Sequence, residues 1–246
     1  MTTTDQALAT ATWIRRFADT VRSTQAQLTA LDQQVGDGDF GTNLSAGTDA
    51  ALMRLDTLDT LAPLGAGGAP GDAAALEAAA TAFLDEVGGT SGPLFGLLLQ
   101  SLAASVAELG PTTPALARGV ARGLAAICRV GGAAPGDKTL VDALAPAAAA
   151  LEALPARTLP AAALDAAAEA AWQGVRDTAR LRARMGRSSY VGERAAGVPD
   201  PGAVAVALLF ASAAGSVEDL TPYLNASRAP AAGRGVRRTP FGSPPP

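Results

Sequence analysis

The amino-acid sequence predicts an all-α protein, an antiparallel up-and-down barrel or bundle of eight helices. Alanine, the strongest helix former, dominates a composition that is 48% hydrophobic but only 4% aromatic. Runs of β-branched residues, from which strands are built, are scarce. Apolar positions at helical spacing alternate with short glycine and proline segments. Eight helices of similar length joined by mostly short loops favour antiparallel packing.

The first four helices follow from this spacing. In the first, Leu8, Ile14 and Phe17 begin a series of apolar residues at helical intervals. The first three are predicted at about residues 5–31, 42–58 and 72–86. The fourth is predicted to open from the turn at 88–93 and to end at about residue 108. A glycine-rich loop separates the first two, and glycine and proline in 62–71 indicate a surface loop. Asp72 is a candidate cap for the third helix.

Proline and glycine bound the last four helices. They are predicted to begin near residues 113, 138, 161 and 200. The fifth helix is predicted to end near residue 129, the seventh near 183 and the eighth near 215. Thr113 and Pro114 suit an N-cap and first turn, as do Asp200 and Pro201. Pro146 is expected to kink the sixth helix or end it early.

The helices are assigned to one domain, residues 1–220. From about residue 225 the composition changes to proline, glycine and arginine without apolar periodicity. This pattern predicts a disordered tail over 225–246. A basic docking arm is the alternative for the same residues.

Composition excludes several functions. A net charge of −4 and a sequence pI near 4.9 give no nucleic-acid surface. The N-terminus lacks the features of a signal peptide, and the longest apolar run, near 202–215, is too short to cross a bilayer. Neither nucleic acid nor membrane is therefore expected as a partner. A single cysteine, Cys128, permits no internal disulfide and fits a cytoplasmic location.

The chain contains no histidine. A Ser-His-Asp triad, a histidine base and the usual histidine zinc sites are therefore excluded. Any metal is expected to be a hard cation held by carboxylates, such as magnesium or calcium.

Three carboxylates within eight residues form the most informative motif. They are Asp32, Asp37 and Asp39, followed by Phe40, and glycines at 36, 38 and 41 let the backbone fold back. Brought together, three carboxylates repel one another unless cations lie between them. Magnesium with bound phosphate would satisfy them. The alternative is a solvated Asp/Gly turn.

Three further segments carry polar residues at turns. At 88–93, glycines precede Thr90 and Ser91 at a helix start, which attracts phosphate, although ordinary capping by Ser91 would also explain them. At 135–140, Asp137 is a candidate helix cap and Lys138 a solvated charge. At 184–194, arginines in a glycine-flanked loop could pair with phosphate, or with neighbouring side chains.

Taken together, the four segments resemble the nucleotide-binding subunit of dihydroxyacetone kinases, the DhaL or Dak2 family. The matching motifs occur in the family's order and cover about residues 8–215. They lie at 31–43, at 88–96, at 135–139 and, as the fourth, at 186–194 together with 200–202. The resemblance implies a barrel of eight antiparallel helices with the nucleotide bound at one end. It also implies that Asp32, Asp37 and Asp39 hold two magnesium ions that bridge the nucleotide phosphates.

The resemblance further implies which residues bind ATP or ADP. These are Phe40, Gly41, Thr42, Asn43, Thr90, Ser91, Gly131, Leu140, Arg187, Asp200, Pro201 and Gly202. Arg187 and the three aspartates are the expected catalytic residues. Many relatives carry histidine or another small or polar residue in place of Phe40, so a possible polar contact is lost there.

The implied activity is phosphoryl transfer to dihydroxyacetone or a similar short keto-sugar. The donor is ATP, either free or regenerated on tightly bound ADP by a phosphotransferase-system protein. In the family a histidine of a separate subunit binds the sugar covalently. Because this chain has no histidine, it is expected to need that sugar-binding subunit. The alternatives are a non-catalytic nucleotide-binding regulatory module and, ranked lower, a fatty-acid-kinase-like domain.

Overall fold

All eight predicted helices are present in the computed structural model, which describes residues 8–61 and 71–225. The long helices are α1 (Thr10–Val35), α2 (Phe40–Leu61), α3 (Asp72–Glu86), α4 (Ser91–Leu109), α5 (Thr113–Gly131), α6 (Val141–Glu152), α7 (Pro160–Thr178) and α9 (Pro201–Ala211). Single turns form α8 (Ser188–Val191), a 3-10 segment (Gly192–Ala195) and α10 (Thr221–Leu224). These described ranges contain no strand, which confirms the all-α class. The loop predicted over 62–71 lies outside them except for residue 71, as does the predicted tail beyond residue 225.

Neighbouring helices pack side by side and close into a ring. Each helix from α1 to α6 contacts the next along the chain, α7 contacts α9, and α9 contacts α1. At the closure, the indole N–H of Trp13 in α1 donates to the carbonyl of Leu209 in α9 over 2.6 Å. Because most connections are short, successive helices run in opposite directions. The ring is the predicted up-and-down barrel.

Helix α9 is a member of this ring that is buried almost throughout. Every residue from Ala203 to Phe210 is buried, and α9 contacts α1, α6 and α7. A helix that is apolar on all sides is stable only when other helices surround it. The core therefore fixes α9, and with it the position of Asp200 and Pro201 at its start.

Several helix ends differ from their predicted positions, among them those of α1, α7 and α9, the last of which ends at Ala211 instead of near residue 215. α1 continues to Val35 instead of ending near residue 31, so Asp32 lies inside its last turn. Gly36 follows and donates its N–H to the carbonyl of Asp32. α7 ends at Thr178, before the predicted end near 183. The carbonyl of Thr178 instead accepts from the N–H of Leu181 in a tight turn.

Two predicted caps are wrong. Asp72 is the first residue of α3, with Gly71 at the N-cap, and its carboxylate accepts from the N–H of Thr10, 3.0 Å away. This bond ties the start of α3 to the start of α1. The N-cap of α5 is Thr112 instead of Thr113. In both cases the predicted cap makes a distant contact instead: Asp72 accepts from Thr10, and the hydroxyl of Thr113 donates to the carbonyl of Thr158.

Helix α6 begins at Val141, later than predicted, and Pro146 neither ends it nor shortens it. Since proline has no N–H, the carbonyl of Asp142 has no helical donor from that position. Gly174 of α7 packs against this carbonyl, and a Cβ there would lie 2.9 Å from the Cα of Ala143. The close packing of α7 holds the turn in helical form.

One described helix, α4, is long and apolar enough by length and composition to cross a membrane. Half of that stretch is buried inside the barrel, where α4 packs between α3 and α5. The core helix of a globular protein has the same properties. The structure therefore accounts for the apolar character of α4 through packing.

Gly41 permits the close contact of α1 and α2 that brings the loop between them into position. A Cβ at this residue would lie 2.6 Å from the carbonyl oxygen of Gln25 and 2.9 Å from the N–H nitrogen of Thr29. Both are backbone atoms and cannot move aside. We expect Gly41→Ala to lower the free energy of unfolding by about 1–3 kcal/mol, measured by urea denaturation. Gly215→Ala, where a Cβ would meet nothing within 4 Å, is the matched control. Equal stabilities of the two variants would contradict this role.

Candidate functional site

One end of the barrel carries a cavity of about 330 Å³. Since the helices alternate in direction, the ends of α1, α3, α5 and α7 meet the starts of α2, α4, α6 and α9 at this end. The cavity wall includes most of the residues singled out in the sequence: Asp32, Asp37, Asp39, Phe40, Asn43, Thr90, Ser91, Gly131, Leu140, Arg187, Asp200, Pro201 and Gly202. The fold thus joins four separate sequence segments in one site.

The three aspartates form an acidic cluster in the loop between α1 and α2. Asp32, Asp37 and Asp39 bring carboxylate oxygens within 4.8 Å of one another. Asp32 is buried, and one of its oxygens accepts from the N–H groups of Gly38 (2.9 Å) and Phe40 (3.2 Å). Gly38 has a φ of +82°, a conformation that favours glycine and that folds the loop over Asp32. Because Asp32 is buried and accepts these two hydrogen bonds, it is not part of a solvated Asp/Gly turn, which was the alternative from the sequence.

Arg187 supplies a positive charge to this cluster. Its guanidinium contacts the carboxylate of Asp37 and lies 3.1 Å from that of Asp39. Carboxylates this close together repel one another strongly, so the arginine offsets part of that repulsion. Phosphate or a neighbouring side chain was the partner predicted for this arginine from the sequence. The structure shows two acidic side chains in that place.

The start of α4 offers backbone N–H groups to the same cavity. Thr90 occupies the N-cap, and no side chain caps the helix there. Capping by Ser91, the alternative from sequence, is therefore absent. A Cβ on Gly88 or Gly89 would meet no atom within 4 Å, so the approach to these N–H groups is open. Uncapped N–H groups and the helix dipole attract phosphate.

The predicted nucleotide residues divide into two groups. Ten of the twelve line the cavity, whereas Gly41 and Thr42 do not. Gly41 is buried against α1, and Thr42 is exposed. Phe40 is buried among core residues and also forms part of the cavity wall. The four-residue segment 40–43 begins α2, so only the side chains on one face of that helix can reach the cavity.

Comparison with known proteins identifies the family. Residues 34–215 match the family model of the DAK2 domain. The chain belongs to the DAK2 domain family. The resemblance inferred from the four sequence segments is thereby confirmed.

Relatives of this DAK2 domain include both separate subunits and parts of longer kinases. It is 32% identical over 201 residues to the ADP-binding subunit DhaL of the PEP-dependent dihydroxyacetone kinase of Escherichia coli, covering 80% of this chain and 91% of that protein. It is 37% identical over 194 residues to the D-erythrulose kinase of Mycolicibacterium smegmatis, covering 78% of this chain. The chain spans about a third of the length of that kinase, since the match covers 32% of it.

A solved structure shares the fold of the DAK2 domain. The crystal structure of the dihydroxyacetone kinase from C. freundii in complex with AMP-PNP and Mg²⁺ matches with a TM-score of 0.59 and 28% sequence identity. The match covers 84% of this chain and 33% of that kinase. The predicted all-helical fold class is confirmed by this likeness.

The acidic cluster of this DAK2 domain fits a hard divalent cation. All three side chains offer carboxylate oxygens, which magnesium prefers, and no softer ligand is among them. A Cβ on Gly36 would collide with Asp32, so this glycine leaves room for the carboxylate. The donor set and the space around it therefore suit magnesium.

Asp200, at the start of α9, is the N-cap predicted from the sequence. Its carboxylate accepts from the N–H of Ala203 at 2.7 Å, and its own N–H donates to the hydroxyl of Thr178 at 2.9 Å. The residue is 9% exposed. Burial raises the pKa of Asp200 from its ordinary 3.8 to about 7, and the hydrogen bond from the N–H of Ala203 and the charge of nearby Lys138 only partly oppose this shift. Unlike the start of α4, that of α9 already has a side-chain acceptor for one of its N–H groups.

We expect this raised pKa to make the protein less stable at high pH. Between the unfolded pKa of 3.8 and the folded pKa of about 7, the folded state binds more protons, so stability falls as the pH rises through that window. Asp200→Asn keeps the cap and removes the ionisation. The variant should exceed the wild type by about 1–4 kcal/mol at pH 8, and the difference should shrink towards pH 4. Urea denaturation of both proteins across this range measures it, and a difference independent of pH would contradict the assignment.

The environment of Lys138 differs from the one predicted from the sequence. This residue was expected to be a solvated charge, yet it is only 1% exposed. Asp137 does not cap α6 either; its carboxylate accepts from the N–H of Ala134, and Asp142 accepts from the N–H of Thr139. Burial lowers the pKa of the Lys138 ammonium, and the charge of Asp200 opposes that effect. No local signal marks this environment, because the carbonyl partners of Lys138 lie 40 to 60 positions away.

Proposed function

We propose that this DAK2 domain is the nucleotide- and magnesium-binding part of a kinase that phosphorylates a short keto-sugar. The observation that carries the proposal is the convergence of three carboxylates with the uncapped start of α4 in one cavity. Carboxylates attract cations, and free N–H groups at a helix start attract phosphate. A magnesium nucleotide is the ligand class that presents both.

The carboxylates of Asp32, Asp37 and Asp39 are proposed to hold magnesium, with two ions bound as the family resemblance implies. When bound, magnesium neutralises negative charge on the phosphate oxygens. The buried Asp32 is oriented by the N–H groups of Gly38 and Phe40. The carboxylates of Asp37 and Asp39, which now contact Arg187, can release this arginine towards the phosphates. Arg187 would then stabilise charge on the transferred group.

The remaining cavity residues are proposed to bind and orient ATP or ADP. The glycines before α4 leave space for phosphate, and the first N–H groups of α4 would donate to it. Asn43, Gly131, Leu140, Pro201 and Gly202 would line the rest of the nucleotide site. Such positioning supplies much of the catalysis in phosphoryl transfer, since the protein contributes little covalent chemistry.

The sugar is proposed to bind on a separate subunit or domain. The chain spans 91% of the DhaL subunit of Escherichia coli but only 32% of the D-erythrulose kinase. It has no histidine to bind a sugar covalently, so it should be inactive alone. The names of these relatives make dihydroxyacetone and erythrulose the first acceptors to test. The single cysteine favours a cytoplasmic location.

The proposal is tested by isothermal calorimetry and a reconstituted kinase assay. We expect ADP to bind in the presence of magnesium and not after chelation. We expect turnover with dihydroxyacetone or erythrulose only when a sugar-binding dihydroxyacetone kinase subunit is added. Binding without turnover on any triose or tetrose would instead support a regulatory module. Absence of magnesium-dependent binding would contradict the proposal. The rate at which bound nucleotide is lost during dialysis distinguishes the two routes of phosphoryl supply. Slow loss would favour tightly held ADP that a phosphotransferase-system protein recharges, and fast loss would favour free exchange of ATP.

A further inference from the structure

Lys138 is unusual in both its side chain and its backbone. It is the single lysine of the chain, whose other basic residues are all arginines. It is 1% exposed, although lysine is rarely buried without partners. Its φ of 61° is the only positive value at a non-glycine residue within 8–61 and 71–225. Both features are unfavourable for lysine and need compensating contacts.

The ammonium of Lys138 donates to three backbone carbonyls. The acceptors are Thr178 at 2.8 Å, Ala195 at 2.9 Å and Val198 at 2.7 Å. An ammonium has three N–H groups, so these bonds use all of them. Lys138 therefore has no N–H left for phosphate, although it forms part of the cavity wall. Its role is to connect backbone segments.

The three carbonyls lie at the two ends of one loop, residues 179–199, which we call the arginine loop because it carries Arg187. Thr178 ends α7 directly before the loop, and Ala195 and Val198 lie near its far end. The residue before Lys138 holds the loop at a further point, because the carbonyl of Asp137 accepts from the N–H of Arg184 over 3.1 Å. The turn at 137–138 thus fixes the arginine loop on both sides of Arg187.

We propose that Lys138 is a positioning residue that sets the arginine loop so that Arg187 reaches the acidic cluster. This inference rests on the proposed function, in which Arg187 and the aspartates handle a magnesium nucleotide. A buried ammonium suits the task because its three N–H groups converge on three carbonyls. The planar guanidinium of arginine, with its fixed fork of donors, cannot make the same arrangement.

The first test is a double-mutant cycle on nucleotide affinity. Lys138→Met keeps the aliphatic stem and removes the ammonium. At a temperature where circular dichroism shows all variants folded, we expect Lys138→Met to weaken magnesium-ADP binding about tenfold or more. Arg187→Ala alone should weaken magnesium-ADP binding to the same extent, because the contact with phosphate is lost. Adding it to Lys138→Met should then change affinity little, because the two residues act through one contact. If Lys138 served only the stability of the fold, Lys138→Met would lower the melting temperature and leave the affinity for magnesium-ADP unchanged. That result would overturn the inference, as would effects of Lys138→Met and Arg187→Ala on affinity that add in the double variant.

Lys138→Gly serves as the matched control for the backbone. Glycine tolerates the positive φ without strain but cannot bridge the carbonyls. We expect it to lose affinity as Lys138→Met does. Wild-type affinity in the glycine variant would show that the side chain has no positioning role, and would overturn the inference.

Trypsin provides a readout that does not depend on nucleotide. It can cut the arginine loop after Arg182 and Arg187, both of which are exposed, and α5 after the exposed Arg122. We expect Lys138→Met to raise the rate of cleavage in the loop about tenfold relative to that in α5. Equal acceleration at both places would indicate global destabilisation and contradict the inference. If the wild type fails to bind magnesium-ADP, the proposed function fails, whereas this ratio still tests the connection made by Lys138.

A measurement on the unaltered protein covers the case in which the variants do not fold. Because Lys138 is the single lysine, amine acetylation followed by mass spectrometry of its peptide reports on this side chain alone. We expect modification at least a hundredfold slower in the folded protein than in urea. Equal rates would show that the ammonium is free and would overturn the inference.

Discussion

Replacing Asp37 by alanine is expected to abolish magnesium-dependent ADP binding, with affinity at least about a hundredfold weaker, because one of three clustered carboxylate ligands is lost. Kinase activity with the sugar-binding subunit should fall below detection. The variant should remain folded, since removing one charge reduces repulsion among the aspartates. Arg187 would keep its partner Asp39. Loss of binding without loss of stability would therefore mark a ligand role.

Calorimetry with magnesium and ADP measures this effect, and thermal denaturation without ligand checks the fold. Asp165→Ala is the matched control, because Asp165 is an exposed aspartate on α7 away from the cavity. It should bind like the wild type. Unchanged affinity in Asp37→Ala would exclude the acidic cluster as the metal site.

Replacing Arg187 by alanine is expected to have two opposite effects. Turnover with the sugar-binding subunit should fall about a thousandfold, the loss typical when an arginine that stabilises the transferred phosphoryl group is removed. In contrast, Mn²⁺ without nucleotide should bind about tenfold tighter. The reason is that the guanidinium no longer competes for Asp37 and Asp39, which it contacts in the structure.

Steady-state kinetics and electron paramagnetic resonance of Mn²⁺ measure the two effects separately. Arg182→Ala is the matched control, since Arg182 is exposed in the same loop and does not line the cavity. Both quantities should stay near the wild-type values in that variant. Weaker Mn²⁺ binding in Arg187→Ala would show that the arginine supports the metal site instead of competing with a cation.

Features that depend on local sequence could be predicted. Helix periodicity is a property of neighbouring residues, so all eight helices were found, and the start of α9 at Pro201 was placed correctly. Asp32, Asp37 and Asp39 lie within eight residues, so their grouping was also predictable. The loop between α1 and α2 then fixes their geometry through the N–H groups of Gly38 and Phe40.

Features that depend on distant contacts could not be predicted. Lys138 has the local surroundings of a solvated residue, and its carbonyl partners lie 40 to 60 positions away. The pairing of Arg187 with Asp39 spans 148 positions. The close approach of α1 to Gly41 likewise depends on packing between two helices. In each case the deciding neighbour is brought by the barrel, and no local pattern encodes it.

The central claim is that the acidic cluster binds a divalent cation together with a nucleotide. Crystals grown with Mn²⁺ and ADP, measured near the manganese absorption edge, test it most directly. We expect anomalous peaks among the carboxylates of Asp32, Asp37 and Asp39, with phosphate oxygens as further ligands and the phosphates at the start of α4. An ordered ADP molecule with no anomalous peak at these aspartates would contradict the claim.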